Sequence, residues 1–149
     1  ETLSKSWELM YSASERLRDL GQLEEAKELL TLAGELLLEV YGTQPSATYY
    51  NGLGIANVLF SVYEDVEAAE SLYRKVIARE PERYEGYREL AAALQLVSDM
   101  PGAMALVRGY LKDYPDNAQA QRDEEILVSA IRASAAGVPD SMTEPETAP

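Results

Sequence analysis

The chain contains no cysteine and no histidine, and these two absences exclude more chemistry than any motif supplies. Without thiols there is no disulfide, no thiolate nucleophile and no cysteine metal site, though the lack of cysteine does not choose a compartment. Without imidazole there is no histidine–zinc site and no histidine acid–base mechanism. Positive charge is scarce as well. Thirteen Lys and Arg stand against 26 Asp and Glu, a net charge of −13, which opposes binding to nucleic acid or to anionic lipid. No apolar run approaches the roughly 20 residues of a helical membrane span. A glycine-rich phosphate loop, a nucleophile elbow and a calcium loop are all missing. The Gly-Leu-Gly at 52–54 is too short for a dinucleotide site and falls within a helical pattern.

What is present is enough for a folded domain. The chain has 149 residues, 46% of them apolar, which bounds it as one domain with a sizeable core rather than a disordered segment. Acidic pairs such as Glu24/Glu28, Glu64/Asp65 and Asp123/Glu124 fall on helix surfaces or at caps. Carboxylates there favour helix N-termini and solubility, whereas a catalytic pair needs a pocket that drives two pKa values apart. No catalytic residue, metal or cofactor is expected.

The strongest positive signal is internal repetition. Pro81 and Pro115 lie 34 residues apart, as do Ala69 and Ala103, and Tyr50, Leu53 and Gly54 answer to Tyr87, Leu90 and Ala91. A period of this length built from apolar residues at helical spacing marks a stack of helix pairs. Seven helices are expected, near 3–20, 22–41, 47–62, 65–80, 82–97, 99–112 and 116–135. Gly21 is a left-handed stop for the first, Ser46 or Thr48 the N-cap of the third, Asp65 that of the fourth, and Asp116 or Asn117 that of the seventh. Pro101 is tolerated in the first turn of the sixth. Trp7 to Ala26 and Tyr50 to Ala69 each span 19 residues, but Tyr87 to Ala103 spans 16. The first two pairs therefore carry about an extra turn before their corner. The stretch 137–149, with three prolines, acids and hydroxyl residues, reads as a flexible tail.

Ala69, Tyr73, Val76 and Pro81, and then Tyr87, Leu90, Ala91, Leu94, Ala103, Val107, Tyr110 and Pro115, stand at the spacings by which the chain resembles the tetratricopeptide repeat family. The resemblance implies an all-α, right-handed superhelical array of about three helix-turn-helix repeats (3–41, 47–80 and 82–114) with a capping helix at 116–135. Asn57 departs from it, standing where the family has an aromatic. The resemblance further implies a non-catalytic module, an adaptor or chaperone, that takes a protein or peptide in a concave groove. Mapped by position, that groove holds Lys5, Ser12, Asn51, Ile55, Leu59, Arg88, Gln95 and Leu96.

The same apolar row, Ile55, Val58 and Leu59, is also what a helix buried on two sides would carry. A carboxylate clamp is disfavoured by Glu85 and Glu89 beside Arg88. Leu29, Leu32, Leu36 and Leu38 on the second helix are either core or the seam of a homodimer. Two other readings stand beside the module: a structural or dimerisation domain of a longer protein, and a chaperone similar to the repeat-type chaperones of type III secretion. No nucleic-acid partner, small-molecule substrate or membrane insertion is expected. The expected location is cytoplasmic. A chain beginning at Glu1 also leaves room for a periplasmic or membrane-anchored protein whose leading segment is missing.

Overall fold

The structure, a computed structural model, describes residues 2–137, with side chains from residue 5 onward. The expected tail from 138 on lies outside the described residues. Among these, the chain is all-α, with seven helices and no strand: α1 Thr2–Asp19, α2 Leu23–Glu39, α3 Pro45–Ser61, α4 Val66–Arg79, α5 Tyr84–Leu96, α6 Met100–Asp113 and α7 Ala118–Ala135. No helix among the described residues is long and apolar enough to cross a membrane. The described residues divide into two compact units, one up to Gly86 and one from Tyr87 onward.

In the first unit α1 packs on α2, α2 on α3, and α3 on α4. The core is made by Leu30, Ala33 and Leu37 of α2, Tyr49, Leu53 and Ala56 of α3, and Ala69, Tyr73 and Val76 of α4, all buried. Gly52 lets α3 sit this close to its neighbours. A Cβ there would lie 2.6 Å from Val76 Cγ2 and 3.5 Å from Leu37 Cδ2. Leu53 is buried as expected, but its two partners in the expected row of α3 change by one and two residues. Tyr49, not Tyr50, is the core aromatic, while Tyr50 is 53% exposed. Gly52, not Gly54, is the close-approach residue, because Gly54 has nothing near it. The cause is the extra turn: α3 has 17 residues and α5 has 13. A register carried backwards through four added residues slips by a fraction of a turn, and each residue of slip rotates a side chain by about 100°. The helix also begins earlier than expected, with Gln44 as N-cap and Pro45 in the first turn. Thr48 is not a cap; its hydroxyl donates to the Gln44 carbonyl.

The polar departure at Asn57 has a structural partner. The buried Tyr73 donates its hydroxyl to the Asn57 side-chain oxygen, so the amide replaces the expected ring by satisfying another ring's polar end. Tyr49 does similar work at the other end of α3. Its buried hydroxyl accepts the Gly86 N–H at 2.7 Å, capping the start of α5. A Cβ at Gly86 would meet that oxygen and Ile77 Cγ1, each at 2.8 Å.

In the second unit α6 packs on α7. Leu90, Ala91 and Leu94 of α5, Ala103, Val107 and Tyr110 of α6, and Ala120 and Leu127 of α7 are buried. The Tyr87 ring tilts onto Tyr110 at 4.9 Å between centroids, and Tyr114 stacks on Tyr110 at 4.8 Å. Asn117 rather than Asp116 caps α7, accepting from the Ala120 N–H at 2.9 Å.

The three corners between paired helices share one device. The residue before each second-helix N-cap is left-handed: Gly21 (φ 79°), Glu64 (φ 54°) and Ser98 (φ 65°). The following N–H then reaches back to a carbonyl of the first helix: Gln22 to Leu17, Asp65 to Leu59 and Asp99 to Leu94. Asp65 and Asp99 add side-chain caps to Ala68 and Gly102. Only the first corner uses the residue that adopts this conformation without steric cost.

Candidate functional site

The residues assigned to a groove by sequence separate into three groups and one lone residue, Leu96. Ile55 and Leu59 are each 1% exposed, which corrects the expectation that they line an open surface. Both are enclosed because α3 is covered by α2 on one side and α4 on the other. Ile55 Cγ2 lies 3.6 Å from where a Gly34 side chain on α2 would begin, beside Leu72 of α4. Lys5, Ser12 and Asn51 are exposed on α1 and α3. No hydrogen bond or ion pair joins them to other described residues.

Arg88 and Gln95 are brought together. Both lie on the rim of a cavity of about 180 Å³ between α5, α6 and α7. Its floor is apolar, made by Ala91 and Ala92 of α5, Val107 of α6 and Leu127 of α7. Ala91 and Ala92 create the space, since between Arg88 and Gln95 α5 presents only their methyl groups toward a wall of larger side chains. Arg88 Nε is 3.3 Å from Asp123 Oδ2, an ion pair across the mouth in which Arg88 stays more than half exposed. Asp123 is only 19% exposed, so the solvent-accessible end of the pair is Arg88. Leu96, the remaining assigned residue, is 76% exposed but does not line the cavity.

The opposite wall was not read from sequence as part of a site. Ile126, next to the buried Leu127 on α7, is 63% exposed at the edge of this cavity. The signal was available in part: Ile126 and Leu127 are adjacent, and two neighbours 100° apart on one helix cannot both point at one core line.

Chemically the cavity offers a small apolar floor, one guanidinium, one carboxylate and one carboxamide. The Gln95 Nε2 is held only by a long 3.4 Å contact to the Ala91 carbonyl, leaving both ends of the amide able to pair with a polypeptide backbone. Two phenols with raised pKa values lie outside this cavity. Burial, followed by the hydrogen bond to Glu80 and the charge of that carboxylate, pushes the Tyr41 hydroxyl well above its ordinary range. Burial and Glu15 raise Tyr11.

No protein-family model and no curated protein matches the sequence. Among solved structures, one neighbour is the first TPR of Spaghetti (RPAP3) bound to the HSP90 peptide SRMEEVD. It is 16% identical, the match covers 87% of this chain and 98% of that chain, and the TM-score is 0.49.

Proposed function

We propose that this protein is a non-catalytic binding module, an adaptor or chaperone, that takes a peptide segment of another protein in the cavity between α5 and α7. The observation that supports this reading is an apolar floor beside an exposed polar rim. Ala92 and Ile126 lie exposed beside Gln95 and the guanidinium of Arg88. A side chain of the partner fills the hollow left by the alanines. Its backbone pairs with Gln95, and Arg88 or Asp123 selects the charge beside it. The volume of about 180 Å³ fits one large side chain rather than a cofactor.

The test is selection from a peptide array with the full chain, followed by affinity measurement on variants. Ile126→Asp should weaken the selected peptides by about tenfold or more, as loss of an anchor contact does. Its thermal midpoint should hardly move, because the residue is exposed. Ala92→Leu should block the same peptides by filling the hollow. Selected peptides that bind both variants as well as the parent would refute the assignment.

A further inference from the structure

Away from this cavity, on the first unit, α2 and α4 enclose a second groove. Its walls are Leu38 of α2 and Ala68 and Leu72 of α4, over the buried Leu59 at its base, and its volume is about 100 Å³. Glu35 stands on the α2 rim and Lys75 on the α4 rim. The α2 rim continues into a stripe that faces away from the core. Glu25, Glu28, Leu32, Glu35 and Glu39 recur at alternating spacings of three and four residues, the repeat of a single helix face. All five are exposed, Leu32 by 47%.

The glutamates of the stripe have no ion pair among the described residues. Lys27, the one cation on α2, is already shared between Glu24 at 3.7 Å and Asp65 at 3.5 Å. The stripe sets one exposed leucine among four unneutralised glutamates alongside the apolar slot, an amphipathic acidic surface.

We infer that the α2–α4 groove is a docking surface for a cationic, amphipathic segment of another polypeptide. Such a segment would place one aliphatic side chain in the slot and Lys or Arg along the glutamate stripe. Charge complementarity selects this occupant. A second copy of the chain would bring the same glutamates against themselves, in a protein of net charge −13, and like charges in register oppose association. Lys75 is the single group on the rim that opposes a cation, and it therefore reports on the sign of the partner.

The experiment uses the full chain and a synthetic amphipathic peptide of about 14 residues with leucine on one face and lysine flanking it. A leucine/glutamate peptide of the same pattern is the control. Glu28→Lys with Glu35→Lys should weaken the lysine peptide by about tenfold or more, while Lys75→Glu should strengthen it severalfold. Ile126→Asp should leave it unchanged, which separates this surface from the α5–α7 cavity. Circular dichroism checks that each variant stays helical. An equal loss from Glu124→Lys with Glu125→Lys on α7 would show that any acidic patch serves, and would overturn the inference. Tightening on Glu35→Lys, binding of the glutamate peptide, or self-association abolished by Leu32→Ser would overturn it as well.

Discussion

Helices α3 and α5 begin successive helix pairs, yet one is closed and the other open. On α3 the face bearing Ile55 and Leu59 is covered by its neighbours, and both side chains have left solvent. On α5 the face bearing Arg88, Ala92 and Gln95 remains exposed beside a hollow. The difference follows side-chain volume rather than hydrophobicity. Ile55, Leu59, Leu72 and Val76 interlock around α3, whereas Ala91 and Ala92 leave α5 too slender to fill the space before α7. The more apolar helix became the core, and the smaller-residue helix became the candidate site. An apolar row is a signal of burial first, and a binding surface is better sought where small residues meet large ones.

The largest expected effect tests the closed side. Ile55→Ser and Leu59→Ser should each cost about 2–5 kcal/mol, since a cavity and a buried hydroxyl add together. Denaturant midpoints measure this, and a loss below about 1 kcal/mol would mean that α3 is as open as α5.

A smaller effect is expected where α3 caps α5. Gly86→Ala should cost about 1–3 kcal/mol, because the added methyl must displace the Tyr49 hydroxyl or Ile77. Tyr49→Phe separates the two causes, losing the bond to the Gly86 N–H while leaving the space. If Gly86→Ala is neutral in the denaturant midpoint, the close approach at the start of α5 is wrong.

At the other end of α5 the sign reverses. Ser98 holds a left-handed conformation that costs a non-glycine residue about 1–2 kcal/mol. After the entropy that glycine brings to the unfolded chain, Ser98→Gly should gain about 0.5–1 kcal/mol. Glu64→Gly should act in the same direction, and Gly21→Ala in the opposite one. A loss of thermal stability in Ser98→Gly would mean that the corner does not have this geometry.

The smallest effect is confined to alkaline pH. Tyr41 is an acid whose folded pKa is raised, by burial first and then by Glu80. Its protonated form is therefore favoured in the fold. The stability it supplies is complete below the unfolded phenol value of about 10 and is lost as pH rises above it. Tyr11 adds to the loss in the same direction. Tyr41→Phe should flatten the decline in melting temperature above about pH 10, and an unchanged decline would assign it to other groups.

Much of the fold was legible because it rests on periodic and local signals. Gly21, Asp65, Pro101 and Asn117 mark ends of helices that the structure places close to where caps and breakers put them. The core row of the third helix pair, from Leu90 to Tyr110, could be read directly because its spacing is regular. The register of α3 could not, since an added turn rotates Tyr49 into the place expected of Tyr50. The left-handed Glu64 and Ser98 were also hidden, because neither residue type announces that conformation. The site was legible only in half. Arg88 and Gln95 follow from their positions on one helix, but Asp123 and Ile126 join them through packing of α7, which no spacing along α5 encodes.

The most direct test of the contrast between α3 and α5 is amide hydrogen exchange on the full chain, with and without a peptide selected from the array. Binding should slow exchange at residues 88–95 of α5 and 123–127 of α7, and leave 51–59 of α3 unchanged. Protection confined to α3, with α5 and α7 unaffected, would contradict the account and return the binding surface to the helix that here forms the core.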